Sequence, residues 1–407
     1  MAKPLTPKQI CERALAGSRW LVAHQNRDGS WKRLRDPKVD AFYKAGWALT
    51  ETGLSPSAHR SLTYVRQNFS TARGDFLPRA HPWHITGHYP YVNAYLVAGS
   101  MRAGRYDIAL PALSFLLTQQ ADDHGGFYSR LTDHGGKEMA DTASSSAAGI
   151  ACLAAGMIDQ ARRVADYLSY LIKLQPASDD RFFTAVKADG QLYTEPKDDH
   201  DAFLRVVDTK KADQCWFAVG LPLAFLVLLE SATQETAYRE LAQWYFDFQQ
   251  RCIDPWDGYS SGKAAWGCAM LYRITGEARY RDIAMHVAKN IMALQRTDGS
   301  WLSGMSKQWE FTNADFDLTS EFTLWLSLIS TNVLARDLCR IPLAPNKARI
   351  PKPKRTQSIG ETLRRTARAH YRILKNEGLG KYVQFSYHYR RGQLSNWIKE
   401  KFSSEGR

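Results

Sequence analysis

Lys263 is a cation near the start of an otherwise apolar segment. It lies in the stretch 256–276, WDGYSSGKAAWGCAMLYRITG, where a turn rich in Gly and Ser precedes it. This turn supplies N-cap chemistry and predicts a helix that begins near Ser261, with apolar side chains at four-residue spacing: Trp266, Met270 and Ile274. Free N–H groups and the helix dipole attract anions at such a start, which favours an anion-binding lysine. The alternative is an exposed lysine in the first turn.

Carboxylates with helical spacing form a second candidate site. Asp317 and Glu321, in NADFDLTSEFTLWLSLI, are four residues apart, so both lie on one face of a predicted helix and can share a divalent cation. Asp141, in KEMADTASSSAAG, precedes small residues that leave a helix surface open to a ligand. Helix capping is the alternative role for Asp141 and Asp317.

Length and composition indicate a globular protein that can bury a large core. The chain has 407 residues, of which 44% are hydrophobic, enough for one large domain or two ordinary ones. Its six cysteines show no CxxC spacing, so they imply neither a zinc cluster nor a disulfide framework and favour a reducing compartment. The N-terminus lacks a signal pattern, and no apolar run has the length of a membrane span. We therefore expect a soluble, cytoplasmic protein.

The net charge of +13 is concentrated in the last part of the chain. Residues 341–407 contain 16 Lys and Arg against 4 Asp and Glu, so the preceding body is nearly neutral. We expect a catalytic toroid over 1–340, a Pro/Lys-rich linker over 341–356 and a basic helical tail over 357–407. Aromatic residues among the cations of the tail suit peripheral contact with an anionic membrane, and nucleic acid is the less favoured partner. Packing of the tail on the body is the alternative.

Helical periodicity extends along most of the body and predicts twelve helices in six hairpins. Loops rich in Gly and Asp separate them. The predicted helices are 7–25, 39–53, 55–69, 89–103, 105–120, 139–156, 158–175, 212–231, 233–252, 261–276, 277–295 and 317–335.

Loops of related sequence recur where odd-numbered helices end. HQNRDGSW at 24–31 and LQRTDGSW at 294–301 show this most clearly. The repeat predicts an all-α fold, an (α/α)6 toroid of six helical hairpins, with even-numbered helices inside and odd-numbered helices outside. An open α-solenoid is the alternative. The alternating pattern over 182–194, around an Ala-Asp-Gly turn, predicts a small β-hairpin at the rim.

The inner helices of a toroid all begin at one rim, so their first turns meet there. The polar residues in these turns are Asp40, Tyr43, Lys44, His88, Tyr91, Asn93, Asp141, Ser144, Ser145, Asp213, Gln214, Ser261, Lys263, Asp317 and Glu321. We predict that three residues are catalytic: Lys263, Asp141 and Asp213. Three are predicted metal ligands: Asp141, Asp317 and Glu321. The predicted substrate-binding residues at this rim are Tyr91, Asn93, Trp216 and Trp266.

The loops Gln25–Trp31 and Gln295–Trp301, both QxxDGSW, resemble the QW-type repeats of the terpene cyclase and protein prenyltransferase superfamily, whose members are α/α toroids. The cyclase acid motifs DxDD and DDxxD are absent. The chain is more similar to the atypical humulene-synthase-like cyclases of fungal tropolone sesquiterpenoid pathways. This resemblance implies Mg²⁺ as cofactor, a prenyl diphosphate such as farnesyl diphosphate as substrate, and Lys263 as the ionising lysine. It adds Tyr259, one turn earlier, to the substrate-binding residues.

The reaction of such cyclases suits the predicted rim. Ionising an allylic diphosphate requires neutralisation of the leaving group, which Mg²⁺, a lysine and helix N-termini can supply together. Aromatic side chains then stabilise the carbocation and exclude water; candidates are Trp47, Tyr91, Trp216, Phe217, Trp266, Phe316 and Trp325. We therefore expect a Mg²⁺-dependent terpene cyclase.

A carbohydrate-active (α/α)6 enzyme is the alternative, as a uronyl hydrolase, a polysaccharide lyase or a sugar epimerase. Lys263 would then bind a substrate carboxylate. The catalytic residues would be His84, His88, Tyr91, Asp141 and Asp213. A third hypothesis is a non-catalytic scaffold that attaches to a membrane or RNA through its basic tail.

Overall fold

The computed structural model describes residues 5–131, 137–177, 180–305 and 310–339, which are mainly helical. In chain order, the α-helices are α1 (Pro7–Ala23), α2 (Ala45–Glu51), α3 (Ser55–Asn68), α4 (Trp83–Thr86), α5 (Tyr89–Arg102), α6 (Tyr106–Leu117), α7 (Thr142–Ala154), α8 (Ile158–Lys173), α9 (Asp199–Arg205), α10 (Phe217–Thr233), α11 (Ala237–Gln250), α12 (Gly262–Thr275), α13 (Ala278–Ala293) and α14 (Asn313–Cys339). The 3-10 turns Val39–Ala41 and Tyr259–Ser261 precede α2 and α12.

Twelve of the helices in the described part of the chain form two concentric rings. The inner ring is closed, because α2, α5, α7, α10, α12 and α14 pack side by side in that order and α14 packs against α2. The outer helices α1, α3, α6, α8, α11 and α13 each pack against an inner helix. The predicted (α/α)6 toroid is therefore confirmed, and the open solenoid is wrong because the inner ring closes.

Burial explains why the two rings differ in sequence. Outer helix α8 buries one face, formed by Ala161, Val164, Leu168 and Leu171 among others, and exposes the opposite one. Inner helix α12 is buried on all sides from Gly262 to Tyr272, since it contacts both inner neighbours and an outer helix. A charged residue on an inner helix consequently needs a partner within the barrel.

The QxxDGSW loops connect neighbouring outer helices. Gln25 donates from Nε2 to the Ser57 carbonyl oxygen of α3 at 3.1 Å, and Gln295 donates to the Arg13 carbonyl oxygen of α1 at 2.9 Å. Gly29 has a φ of 95°, and a Cβ at this position would lie 2.1 Å from a carbonyl oxygen of α3. The repeated motif therefore stabilises the outer ring.

Short strands lie at the rim where the inner helices begin. In chain order, the strands of the described residues are β1 (Tyr128–Leu131), β2 (Lys137–Asp141), β3 (Arg181–Phe183), β4 (Ala185–Lys187) and β5 (Val206–Asp208). They form an antiparallel sheet in the order β1-β2-β4 and a pair, β3-β5. The predicted rim hairpin is present, since the Lys187 N–H donates to the Gln191 carbonyl oxygen at 2.8 Å across the turn. Its strand β4 also pairs with β2, which the sequence did not indicate.

The starts of four inner helices differ from the predictions. α2 begins at residue 45 instead of 39, after the 3-10 turn Val39–Ala41. α7 begins at residue 142 instead of 139, because Asp141 is an extended N-cap residue whose side chain accepts the Ser144 N–H. α10 begins at residue 217 instead of 212, after Asp213 has turned the chain with a φ of 52°. α14 begins at residue 313 instead of 317, where Asp315 accepts the Thr312 N–H at 2.7 Å. Asp317 therefore lies inside the helix and does not cap it.

The predicted linker 341–356 and basic tail 357–407 lie outside the described residues, so both stay predictions, as does membrane contact through the tail. None of the described helices combines the length and hydropathy needed to cross a membrane. All six cysteines are free thiols.

Candidate active site

Four charged side chains meet at the rim where the inner helices begin, and we call them the mouth cluster: Lys44, Lys263, Asp317 and Glu321. Glu321 accepts hydrogen bonds from Lys44 at Oε2 and from Lys263 at Oε1. Lys44 Nζ also lies 2.8 Å from Asp317 Oδ1. The structure thus brings together the predicted Lys263, Asp317 and Glu321 and adds Lys44.

The two lysines of the mouth cluster are buried although they are charged, and its two carboxylates are partly buried. Lys44 is 3% exposed and Lys263 is 4% exposed. Trp325 donates from Nε1 to Glu321 Oε1 at 3.0 Å, and its ring centre lies 5.2 Å from Lys263 Nζ. A buried ion pair is often no more stabilising than apolar residues of the same volume. Its presence in an apolar barrel therefore favours a functional role over a structural one.

Burial and neighbouring charges set the pKa values of the mouth cluster. Burial lowers the pKa of Lys263. The negative charge of Glu321 acts to raise this pKa, and the positive charge of Lys44 lowers it further. Burial also acts to lower the pKa of Lys44, but Asp317 and Glu321 outweigh it and raise the pKa. The pKa of Glu321 is far below its usual value, because both ammonium groups outweigh the effect of burial. Burial and Glu321 raise the pKa of Asp317 despite Lys44. Glu321 is therefore the counter-ion that both lysines share.

Aromatic side chains fill the barrel one turn further along the same helices. Trp266 stacks on Trp325 with ring centroids 5.8 Å apart and meets Trp47 edge-on at 6.1 Å. Tyr95 contacts Trp47 and Trp325 at 5.8 and 6.3 Å, and accepts a hydrogen bond from Tyr91 at 3.1 Å. These rings touch one another, so a ligand that enters the barrel must turn some of them aside.

Asp141 belongs to a separate buried network. Its Oδ2 accepts from His88 Nδ1 at 2.9 Å and from Arg205 Nη1 at 2.6 Å, and its Oδ1 accepts the Ser144 N–H at 2.7 Å. Burial acts to raise the pKa of Asp141, but His88 and Arg205 hold it far below the usual value. Because these donors occupy the carboxylate and no contact joins it to Asp317 or Glu321 in the described chain, we remove Asp141 from the metal ligands.

Asp40 and His84 form another carboxylate–imidazole pair at the rim. Asp40 Oδ1 lies 2.6 Å from His84 Nδ1 and accepts the His81 N–H at 3.1 Å, while Oδ2 accepts the Ala80 N–H at 2.6 Å. Burial would raise the pKa of Asp40, but His84 and the two N–H groups outweigh it and lower the pKa to about 2. The His84 ring stacks on Tyr91 with centroids 5.9 Å apart. Asp40 thus holds the segment 80–84 against the rim.

Replacing Asp40 with asparagine should destabilise the protein at neutral pH by about 2–3 kcal/mol, because each unit between the unfolded pKa of 3.8 and about 2 is worth about 1.4 kcal/mol. The pKa of Asp40 is lowered on folding, so this contribution is complete above pH 4 and is lost as the pH falls toward 2. Urea unfolding of wild type and Asp40→Asn at several pH values checks this. A difference that stays constant below pH 4 would contradict the ionised Asp40.

Solved structures that are similar to this chain are enzymes of different chemistry. A D-mannose isomerase matches with a TM-score of 0.58 and 13% identity, over 79% of this chain and 96% of its own. The type II terpene cyclase MstE from Scytonema, with geranylgeranyl dihydroxybenzoate, matches at 0.51 and 12%, over 80% and 98%. A GH76 α-mannanase from Bacteroides thetaiotaomicron matches at 0.55 and 14%, over 83% and 97%. The chain has the (α/α)6 fold of these enzymes.

At this level of identity the likeness shows the toroid fold alone, and one fold can carry many chemistries. No protein-family model and no curated protein sequence matches this chain. The function therefore has to be argued from the side chains at the rim of the toroid.

Other predicted site residues lie away from the mouth cluster. Asp213 is exposed in the loop before α10. Asn93 faces the outside of the inner ring, where its Oδ1 accepts from Arg79 at 2.8 Å, because residues 91 and 95 of α5 occupy the inward face. We remove Asp213 from the catalytic residues and Asn93 from the substrate-binding residues on these grounds.

The remaining predicted residues have mixed positions. Trp216 is fully buried at the start of α10, against Gly258, and its Nε1 has no hydrogen-bond partner among the described residues. Phe316 packs on Trp31 near the outer ring, with centroids 4.9 Å apart, and not in the barrel centre. Tyr259 begins the 3-10 turn before α12, and its side chain lies outside the described residues.

Sequence reasoning named Lys44 at the rim without giving it a role, and it missed Tyr95 and Arg205. Tyr95 could have been found, because it follows the predicted Tyr91 by one helical turn. Arg205 had no usable signal, since it lies in a charged segment, DDHDAFLR, that is typical of a solvated surface turn. Only its contact with Asp141, 64 positions away, reveals its role.

Asp317 and Glu321 fit a magnesium ion only together with an anion. In the described residues, no group of three or more His, Cys, Asp and Glu side chains is arranged for a metal ion. Mg²⁺ is, however, often bound by one or two carboxylates plus substrate phosphates and water. The two ammonium groups would repel a bare cation, whereas a diphosphate would neutralise them. The residues therefore fit a complex of Mg²⁺ with diphosphate.

Proposed function

We propose that this protein is a Mg²⁺-dependent terpene cyclase that ionises and cyclises a prenyl diphosphate such as farnesyl diphosphate. The observation that carries the proposal is the position of Lys44 and Lys263, both buried beside one glutamate at the rim of an aromatic barrel. A prenyl diphosphate joins a multiply charged anion to an apolar chain. The lysines at the rim can bind the diphosphate, and the aromatic rings in the barrel can pack against the apolar chain.

The lysines act on the leaving group in this proposal. Lys44 and Lys263 exchange Glu321 for the phosphate oxygens, which neutralises negative charge as the C–O bond breaks. Lys263 is the second residue of α12, so free N–H groups of that helix start lie close to the same anion. Mg²⁺, when bound by Asp317 and Glu321, would supply further charge neutralisation to the diphosphate.

The barrel interior acts on the carbocation. The faces of Trp47, Tyr95, Trp266 and Trp325 offer negative π-density, and each aromatic face can stabilise a cation by about 0.5–2 kcal/mol. Their burial also keeps out water, which would otherwise trap the cation as an alcohol. An interior of this kind supports the cyclase over a sugar-binding enzyme, because sugars require polar partners for their hydroxyl groups.

The direct test incubates the purified full-length protein with geranyl, farnesyl and geranylgeranyl diphosphate, with and without Mg²⁺. We expect release of pyrophosphate and a cyclic hydrocarbon from at least one substrate, only with Mg²⁺. Pyrophosphate is measured by a coupled assay and the hydrocarbon by gas chromatography and mass spectrometry. A protein that turns over none of the three substrates with Mg²⁺ is not the proposed cyclase.

A sugar isomerase or epimerase is the second candidate, and one observation favours it. His84 and His88 are each held by a carboxylate, Asp40 and Asp141, at the same rim. Paired imidazoles can move a proton between neighbouring carbons of a sugar. Assays of D-mannose isomerisation and epimerisation, without added metal, distinguish this candidate from the cyclase.

A further inference from the structure

His88 has one ring nitrogen that is bound and one that is free. Its Nδ1 lies 2.9 Å from Asp141 Oδ2, whereas its Nε2 is buried and has no hydrogen-bond partner among the described residues. The whole residue is 4% exposed. A buried polar atom without a partner costs free energy, so it indicates a group that is kept for a ligand or for chemistry.

The neighbours of His88 fix its tautomer. The buried guanidinium of Arg205, 2.6 Å from Oδ2, and the Ser144 N–H, 2.7 Å from Oδ1, hold Asp141 in its ionised form. An ionised carboxylate only accepts hydrogen bonds, so the nitrogen facing it carries the proton. In the neutral tautomer that this contact selects, Nε2 on the opposite side of the ring has a lone pair that can accept a proton.

His88 and Lys263 of the mouth cluster are both close to the same aromatic ring. The Phe217 ring centre is 5.6 Å from the His88 ring centre and 5.5 Å from Lys263 Nζ. Tyr91, which also lines the barrel, is 6.3 Å from His88. A prenyl chain whose diphosphate contacts Lys263 would pass these rings, which places its carbons between the leaving group and the imidazole.

We propose that His88 is the base that ends the cyclisation, an assignment that rests on the proposed cyclase function. Nε2 removes a proton from the carbon next to the cationic centre. The electron pair of that C–H bond becomes the new C=C bond, and the proton stays on Nε2 as an imidazolium ion. Asp141 stabilises this ion through the existing hydrogen bond, and release of the hydrocarbon returns the proton to water or to pyrophosphate.

Two substitutions of His88 separate this role from a structural one. In His88→Asn the side-chain amide can still donate to Asp141 from the position of Nδ1, while the base is lost. In His88→Gln the amide reaches the position of Nε2 but is not a base. We expect His88→Asn to keep the melting temperature of wild type and to release pyrophosphate within about 10-fold of the wild-type rate, because ionisation takes place at the mouth cluster.

The product distribution is the deciding readout. We expect the main hydrocarbon of wild type to fall to a minor product in both variants, replaced by alcohols or by alkenes from other deprotonation sites. Unchanged products at an unchanged melting temperature would overturn the role of His88 and leave the cyclase intact. Loss of pyrophosphate release with the hydrocarbon pattern preserved would also overturn it. A wild-type protein without turnover would overturn the cyclase itself and this assignment with it.

Discussion

Lys263→Met should lower the rate of pyrophosphate release by about 10²–10³-fold, the loss typical of removing one donor that stabilises developing negative charge. Met keeps an apolar stem of similar length and removes only the ammonium group, which lies 5.5 Å from the Phe217 ring centre and 5.2 Å from the Trp325 ring centre. Glu321 keeps Lys44 as a partner, so the fold should persist. Steady-state kinetics with the best prenyl diphosphate measure the effect, and circular dichroism confirms the fold.

Lys289→Met is the matched control, since Lys289 is exposed on outer helix α13. It should leave pyrophosphate release unchanged. Lys263→Arg should recover part of the rate, because it restores the charge with a bulkier group. Turnover by Lys263→Met within about 3-fold of wild type would show that the ammonium group does not act on the leaving group and would remove the observation that carries the proposed function.

The fold could be predicted from the sequence because its signals are local. The helical periods and the two QxxDGSW loops repeat along the chain, and a loop of this kind makes the same contacts at Gln25 and at Gln295. These repeats predicted six helical hairpins and left an open solenoid as the alternative, which the packing of α14 against α2 decided. Helix starts were harder to predict, since residues 137–140, KEMA, are good helix formers and yet belong to strand β2.

The candidate site could be predicted in part, for a physical reason. Lys263, Asp317 and Glu321 were found because each lies near the start of an inner helix, and all inner helices of a toroid begin at the same rim. Asp141 and Asn93 satisfied the same criterion, yet both bind arginines from outside the inner helices, Arg205 at the end of α9 and Arg79 in the loop before α4. Tertiary partners of this kind leave no periodic signal, so sequence alone could not separate a free carboxylate from an occupied one.

The mouth cluster links stability and binding through Glu321. This side chain is 13% exposed and is the shared acceptor of two buried ammonium groups. A diphosphate can pair with these two ammonium groups only if it displaces the Glu321 carboxylate from them. In the proposed function, the Glu321 carboxylate and the diphosphate therefore compete for the same two ammonium groups, which a single substitution can test.

Glu321→Gln should therefore destabilise the empty protein by about 3–5 kcal/mol, the cost of leaving a buried charge without its partner. Asp317 still faces Lys44, but Lys263 loses its carboxylate. Urea unfolding measures the change. Glu12→Gln on outer helix α1 is the control, because Glu12 is exposed and its contact with Lys8 is long, at 3.9 Å, so the change should be below about 0.5 kcal/mol.

Inorganic pyrophosphate should then stabilise Glu321→Gln more than it stabilises wild type, because the anion meets ammonium groups that no carboxylate neutralises. A ligand at 100 times its dissociation constant adds about 2.7 kcal/mol to the free energy of unfolding. At the same pyrophosphate concentration, the protein that binds pyrophosphate more tightly therefore shows the larger increase in that free energy. Equal stability of Glu321→Gln and Glu12→Gln would refute the shared counter-ion. Equal stabilisation of wild type and Glu321→Gln by pyrophosphate would show that the anion does not replace the carboxylate at Lys44 and Lys263.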